Sequence, residues 1–220
     1  MGRTSGADGA GAATRADDGD AGGPSAHVRA KRERRREEIL HAALAEVREQ
    51  GYHAATLEGI AERLGIRKAA LYHYFPDKDA ILYACHRESL AELERLIESS
   101  VGCCEGPADR LSYLIREHVR VMTETLEGSP LAFEVPALSP DRRAEIVAGR
   151  DRYERLLREL IAAGVASGVF REVDPKVAVF AILGAINWIA RWYRPGGRMT
   201  GMELGEGFAD YLLGGLYRTS

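Results

Sequence analysis

The side chains best suited to chemistry in this chain form a polar and aromatic segment at residues 67–74, which reads Arg-Lys-Ala-Ala-Leu-Tyr-His-Tyr. Leu71 and Phe75 recur at the i, i+4 spacing of a helix and would face inward. The other positions would then present cations, an imidazole and phenol hydroxyls, which can bind phosphates and base edges. The pattern predicts a short helix that suits the major groove of DNA.

A second helical pattern precedes this segment and would position it. Thr56 can cap that helix, and Gly65 can take the left-handed conformation that ends it. Its apolar face consists of Leu57, Ile60, Ala61 and Leu64. Two short helices joined at a glycine are typical of a helix-turn-helix, although an ordinary αα-hairpin would show the same spacing.

Residues 34–83 resemble the operator-binding domain of the TetR family of one-component bacterial repressors. The positions that carry the family's pattern are Thr56, Ile60, Ala61, Leu64, Gly65, the Leu-Tyr-His-Tyr-Phe of residues 71–75, and Lys78. Two positions depart from it: Arg67 stands where a Ser usually caps the recognition helix, and Ala70 stands where a Ser or Thr usually reaches phosphate. With the basic segment before it, the resemblance implies that DNA is contacted by Arg34, Arg35, Thr56, Arg67, Lys68, Ala69, Tyr72, His73, Tyr74 and Lys78.

A basic run at residues 29–36 leads into a helix whose apolar residues repeat at helical spacing up to Gly51. Arginines in a first turn oppose the positive end of the helix dipole, so their presence needs a reason. A solvated helix start is one reading. Because the run immediately precedes the helix-turn-helix, we expect it to contact phosphates or the minor groove.

Composition limits the remaining choices. The chain has 220 residues, is 45% hydrophobic and carries a net charge of only −3, so a real core is expected and no global basic field is present. The longest nearly apolar run, residues 177–190, is shorter than the roughly 20 residues that span a bilayer. Cys85, Cys103 and Cys104 lack metal-ligand spacing, which favours reduced thiols, although the adjacent pair could be a redox or metal sensor. We predict a cytoplasmic protein without a membrane partner.

The helix signals predict an all-α fold of about nine helices. A disordered tail at residues 1–27 precedes a three-helix DNA-binding head at 28–76 and a helical ligand-binding and dimerisation domain at 77–220. In the second domain we expect helices at about 77–99, 108–127, 131–137, 140–167, 174–194 and 200–217. Ser139 and Asp174 are expected N-caps, and Gly168 and Gly196 lie past helix ends.

The last two helices, 174–194 and 200–217, are candidates for a dimer interface. The first is apolar nearly all round, which requires burial on more than one face. The second carries small residues that permit close approach, including Gly207 and Ala209. As in the family, we expect both to form a four-helix bundle with a second copy, the alternative being the internal core of a monomer.

Trp188, Arg191, Trp192 and Arg194 form a second informative group. Residues 129–216 are similar to the C-terminal domain of TetR-type regulators that respond to acyl-coenzyme A thioesters. Such a ligand needs cations and aromatic faces for its phosphates and adenine, and an apolar channel for its acyl chain. Further candidate ligand contacts are Tyr113, His118, Met122, Phe133 and Tyr153. Core or interface anchors are the alternative for both tryptophans.

The sequence therefore predicts a repressor released from a palindromic, double-stranded DNA operator by a small-molecule effector, with an acyl-CoA thioester as the favoured class. Alternatives are a regulator of efflux or secondary metabolism that senses an unrelated hydrophobic ligand, and a ligand-independent DNA-binding protein. His118 beside Glu117 and His86 beside Cys85 could be catalytic pairs, but neither has an orienting third residue, a phosphate loop or a metal-binding motif. We therefore predict no enzyme activity and no cofactor.

Overall fold

Eight α-helices make up the parts of the chain that this computed structural model describes, residues 26–126 and 130–218. They are α1 Ala26–Gln50, α2 Leu57–Arg63, α3 Lys68–Leu71, α4 Lys78–Cys103, α5 Pro107–Arg120, α6 Pro140–Ala166, α7 Pro175–Trp192 and α8 Gly201–Gly214. The predicted all-α fold is confirmed, with eight α-helices where about nine were expected. The predicted disordered tail at residues 1–27 lies almost wholly outside the described residues.

The first three helices form the head around one apolar core. Residues from all three helices are buried there, including Ile39 and Leu44 of α1, Ile60 of α2 and Leu71 of α3. Leu71 is fully buried and Phe75 is buried beside it, so this i, i+4 pair faces inward as the sequence predicted. The helix-turn-helix therefore rests on the middle and the C-terminal half of α1.

Helix α4 links the head to the rest of the molecule. Asp77 caps it by accepting a hydrogen bond from the backbone N–H of Ala80 at 2.6 Å. The first two turns bury Ile81 and Cys85 in contact with the head, and later turns bury Leu93 among the C-terminal helices. One continuous helix of 26 residues therefore contributes to two packed regions.

Helices α5 to α8 form the body. Helices α5 and α8 are closely packed, and a Cβ added to Gly205 would lie 2.9 Å from the backbone oxygen of Arg116. Only a residue without a side chain allows this approach. Asp174 caps α7, and Thr200 forms a capping box with Glu203 at the start of α8. No helix among the described residues is both long enough and apolar enough to cross a membrane.

Two segments differ from expectation. The helix predicted at 131–137 is two 3₁₀ turns, Pro130–Phe133 and Val135–Ala137, because Pro136 lacks the backbone N–H that a continuous helix would use. The last turn of α5 continues as a π-helical turn, Val121–Thr125, where the Thr123 hydroxyl donates to the carbonyl of Val119 at 2.9 Å. A π-turn of this kind frequently marks a functional site.

The end of α4 also differs. The helix continues to Cys103, past the end predicted at about residue 99. Cys103 and Cys104 are joined in a disulfide at this end, so the expectation of reduced thiols is wrong for this pair. The backbone changes there from helical at Cys103 to extended at Cys104. Cys85 is a free, buried thiol, and burial raises its pKa to about 12.

Candidate DNA-binding face and effector cavity

The geometry of the helix-turn-helix is fixed by local contacts. The Thr56 hydroxyl accepts a hydrogen bond from the backbone N–H of Gly59 at 3.0 Å, and Gly65 has the predicted positive φ of 63°. Arg63 of α2 donates from Nε to Glu46 of α1 at 2.7 Å. That carboxylate is buried and lies where a side chain at residue 59 would be, so α2 and α1 are closely packed.

The exposed face of the recognition segment carries the predicted polar side chains. Arg67, Ala69 and His73 are exposed, and Tyr72 exposes 49% of its surface. Arg67 makes no side-chain cap bond, so its guanidinium does not serve the helix that it precedes. Lys68 is paired with Glu58, and its Nζ lies 5.8 Å from the centre of the Tyr72 ring. This face can donate hydrogen bonds to a DNA groove.

The basic run of α1 lies beside the end of this segment. Arg34, Arg35 and the half-buried Tyr74 line a shared groove of about 630 Å³. Arg36 stacks on the ring of Phe75 at 4.5 Å and donates to the backbone oxygen of Tyr74 at 3.4 Å. The basic run and the recognition segment therefore form one continuous surface.

Lys78 has a different environment. Its ammonium group donates to the carbonyl oxygens of Tyr52 and His53, and it lies 4.2 Å above the Tyr52 ring. Burial lowers the pKa of this ammonium group. The side chain thus fixes the loop between α1 and α2, and its proposed contact with a DNA phosphate stays a prediction.

A small cavity of about 80 Å³ lies inside the body between α4, α5, α6 and α7. Three predicted ligand contacts line it: His118, Met122 and Tyr153. The rest of its lining consists of residues that the sequence analysis did not single out: Ser89, Leu93, Leu126, Leu131, Ala132, Arg150, Leu183 and Asn187. Three of the predicted ligand contacts therefore share one cavity with further polar side chains, namely Ser89, Arg150 and Asn187.

Arg150 dominates the electrostatics of this cavity. Its Nη1 donates to the carbonyl of Ala132 at 3.1 Å, and its Nη2 lies 3.3 Å from Nδ1 of His86. No carboxylate among the described residues forms a salt bridge with it. Burial lowers its pKa to about 10, which still leaves it charged at neutral pH.

Two neutral histidines accompany this cation. Burial, with a smaller contribution from the nearby Arg150 charge, lowers the pKa of His86 to about 3 and that of His118 to about 4. Because Nδ1 of His86 faces a guanidinium, it must accept, and Nε2 carries the proton. Nε2 of His86 and Nδ1 of His118 are buried without a hydrogen-bond partner among the described residues. The His118 ring meets Tyr153 edge-on at 5.3 Å.

The other predicted ligand contacts do not line the cavity. Trp188 and Trp192 expose 58% and 45% of their surfaces, and Arg191 lies 4.7 Å from the centre of the exposed Phe133 ring. Arg194 donates to the carbonyl of Tyr193, and Tyr113 is half-buried against the core. The structure does not bring these residues together with His118, and their role in ligand binding stays a prediction.

One sequence signal could have identified Arg150. Ile146, Arg150, Tyr153 and Leu157 recur at spacings of four, three and four residues, which places all four on one face of α6. An arginine within an otherwise buried stripe has to find a polar site inside the fold. His86 gave a weaker signal, because it follows Cys85 on the buried side of α4.

Apolar side chains also remain exposed on α7 and α8. The outer face of α7 presents Val177, Phe180 and Trp188, each more than half exposed, and Tyr211 of α8 exposes 83% of its surface. A groove of about 500 Å³ separates the two helices near Val177 and Tyr211. The opposite face of α7 is buried, including Ile182 and Ile186. Helix α7 is therefore apolar on two faces, and the described residues cover only one of them.

Comparison with protein families assigns both halves of the chain. A family described as bacterial regulatory proteins, tetR family, matches residues 39–85. A family described as tetracyclin repressor-like, C-terminal domain, matches residues 104–216. The second match alone covers about half of the chain, and the first contains the complete helix-turn-helix.

Individual proteins agree with these matches. The HTH-type transcriptional repressor KstR2 of Mycobacterium tuberculosis (strain H37Rv) is 28% identical over 192 residues, which span 83% of this chain and 92% of the relative. The structure of the regulator PfmR from Thermus thermophilus superimposes with a TM-score of 0.71 at 36% identity, covering 82% and 99% of the two chains. AibR, solved with isovaleryl coenzyme A and operator DNA, has a TM-score of 0.70 at 28% identity, with 80% and 97% covered.

Proposed function

The chain belongs to the TetR family of bacterial regulatory proteins, and from this premise we propose that it is a homodimeric transcriptional repressor controlled by a small molecule. The exposed face of residues 67–74, which comprise α3 and the turn after it, reads operator bases in the major groove, and the basic run of α1 contacts the DNA backbone. An effector enters the cavity of the body and lowers the affinity for the operator.

The observation that carries this proposal is the position of α4. Ile81 and Cys85, in its first two turns, line a small apolar space beneath α1, whereas Ser89 and Leu93, one to three turns later, line the cavity. Leu131 borders both spaces and is buried. An effector that enlarges the cavity by displacing α4 or the 3₁₀ turn at Leu131 would therefore change the support of the head.

A dimer turns this displacement into a change in DNA binding. Two recognition helices reach successive major grooves only when they are about 34–36 Å apart. The exposed apolar face of α7 and α8 supplies a surface on which a second copy can pack, with Trp188 and Tyr211 as its largest side chains. Nearly complete release requires the effector to prefer the released form by about 5.5 kcal/mol.

For the effector we propose an acyl-CoA thioester. Two observations support this class: the apolar wall of the cavity suits an acyl group, and the related AibR was solved with isovaleryl coenzyme A. A cavity of about 80 Å³ is much smaller than a coenzyme A molecule, so the nucleotide part would bind outside it. Arg191 and Arg194, exposed at the end of α7, are the proposed cations for its phosphates.

The test is a gel-shift titration on the DNA just upstream of the protein's own gene, at one fixed salt concentration. Long-chain, aromatic and steroid-derived acyl-CoAs are added in turn, with free coenzyme A as the control. Release by one thioester class, and not by coenzyme A, is the expected result. If the protein binds the operator tightly and no thioester releases it, the proposed repressor function is kept and the proposal of an acyl-CoA effector is rejected.

A further inference from the structure

The cavity contains a positive charge that the described residues do not neutralise. The groups around the Arg150 guanidinium are the Ala132 carbonyl and the neutral imidazoles of His86 and His118. Charged groups in protein interiors are normally paired, because an unpaired charge loses much of its hydration. A site of this kind is electrostatically incomplete until an anion binds.

The guanidinium has donors left for such an anion. An arginine has five N–H donors, and two of the nitrogen atoms of Arg150 are engaged by Ala132 and His86 through one contact each. Nδ1 of His118 is buried without a partner, and the Tyr153 ring lies edge-on against this imidazole. Ser89 and Asn187 add two more polar side chains to the lining. These groups fit a carboxylate, which is planar and accepts hydrogen bonds through two oxygens, better than they fit a neutral ketone or ester.

The rest of the lining is apolar and limits the size of the ligand. Leu93, Leu126, Leu131 and Leu183 surround the polar groups, and the cavity measures about 80 Å³. This volume admits a carboxylate with a few attached carbon atoms, and a bulky phosphate ester would leave the leucines in contact with charge.

We propose that Arg150 binds a carboxylate of the effector, while the effector's hydrocarbon part packs on the surrounding leucines. The inference rests on the proposed function and narrows it to ligands with an acidic group inside the cavity. Two sources supply that group: a free carboxylic acid, or the second carboxyl group of a dicarboxylic acid whose other end is a coenzyme A thioester.

The test compares matched ligands by thermal shift and calorimetry on the full chain without DNA. Hexanoate is paired with hexanamide, and adipyl-CoA, which ends in a carboxylate, is paired with hexanoyl-CoA. We expect the carboxylate member of at least one pair to bind at least about 10-fold more tightly than its neutral partner, the value of one charge-assisted interaction. A preference only within the first pair identifies a free acid, and a preference only within the second identifies the thioester.

Three variants separate binding from folding. Arg150→Gln removes the buried charge but keeps a polar amide, and it should lose the preference while its melting temperature without ligand stays equal or rises. Arg150→Lys keeps the charge and should retain part of the preference. Arg152→Gln is the matched control, because Arg152 lies two residues away, is exposed and pairs with Glu94. It should bind as the unaltered protein does.

The outcomes distinguish this inference from the proposed function. Equal binding of acid and neutral partner in both pairs overturns it, as does a preference that survives in Arg150→Gln. If acids bind through Arg150 but do not release the protein from the operator, the carboxylate site is confirmed and the proposal that its ligand is the effector is rejected. If hexanoyl-CoA and adipyl-CoA release the operator equally from the unaltered protein and from Arg150→Gln, and hexanoate binds no more tightly than hexanamide, the proposed repressor function is supported and the carboxylate site is rejected.

Discussion

Replacing Trp188 by Ala tests the proposed dimer interface most directly. Trp188 exposes 58% of its surface in the isolated chain, so the substitution removes little from the core and should leave the fold intact. A tryptophan presents up to about 250 Å² of surface, of which a partner subunit could remove roughly 145 Å² from water. At about 25 cal/mol per Å², full burial would contribute about 3.6 kcal/mol.

The expected loss is smaller than this limit, because alanine keeps part of the area and an interface buries a side chain incompletely. We expect about 2 kcal/mol per protomer. A two-fold interface contains each residue twice, so the total is about 4 kcal/mol and the dimer dissociation constant should rise roughly 1,000-fold. Sedimentation equilibrium from nanomolar to micromolar concentration measures this change.

Tyr72→Ala provides the control, because Tyr72 is a similarly exposed aromatic residue on the head, at 49%. It should leave the dimer dissociation constant unchanged and weaken operator binding. Trp188→Ala should weaken operator binding only at protein concentrations where its dimer dissociates. Unchanged dimerisation of Trp188→Ala, with normal folding, would refute the assignment of the α7 and α8 face to the interface.

Three further predictions concern the head, the helix packing and the buried histidines. Tyr72→Ala or His73→Ala should weaken binding to the operator by about 1–3 kcal/mol and change binding to random DNA little. Lys78→Ala should weaken binding to both DNAs equally. In a gel shift at fixed salt, equal losses on the operator and on random DNA for Tyr72→Ala would count against base reading by this residue. Gly205→Ala places a Cβ 2.9 Å from the Arg116 carbonyl oxygen and should cost about 1–3 kcal/mol in urea unfolding. Gly102→Ala, at an exposed position of α4 where a Cβ meets nothing within 4 Å, should be neutral or stabilising, and equal effects at the two glycines would contradict the close packing of α5 on α8. Because the pKa values of His86 and His118 are lowered to about 3 and 4, the unfolded chain takes up protons first below about pH 6.5, and stability should fall from there towards pH 4. Between pH 7.5 and pH 5, the free energy of unfolding of His118→Gln should fall by about 2 kcal/mol less than that of the unaltered protein. Urea unfolding at the two pH values measures both, and the same fall in the two proteins would show that this histidine is not buried as described.

The head was predictable because its signals are local. A cap at Thr56, a left-handed glycine at residue 65 and the inward pair Leu71 and Phe75 each depend on a few neighbouring residues, and the structure contains all of them. Helix starts at Asp174 and Thr200 follow the same logic. The end of α4 was less predictable, because Gly102 weakens a helix without ending it and the helix continues to Cys103.

The cavity could be predicted only in part because its residues come from distant positions in the sequence. His86, His118 and Arg150 lie on three different helices, and only their packing shows that Arg150 meets imidazoles rather than carboxylates. Nearby arginines on α6 illustrate the difficulty: Arg142 pairs with Asp79, and Arg152 pairs with Glu94. A single sequence does not distinguish these ordinary ion pairs from the unpaired charge between them.

The continuity of α4 also limits how such a protein can be recombined. Ala80, Ile81, Leu82 and Cys85 are buried, and three of these four line the space beneath α1, so a head excised at residue 76 would leave part of its own core behind. A functional chimera would have to transfer the first two turns of α4 with the head and keep a residue of matching shape at Leu131. The transferable DNA-binding unit is therefore longer than the helix-turn-helix motif, and it overlaps the helix that lines the proposed effector cavity.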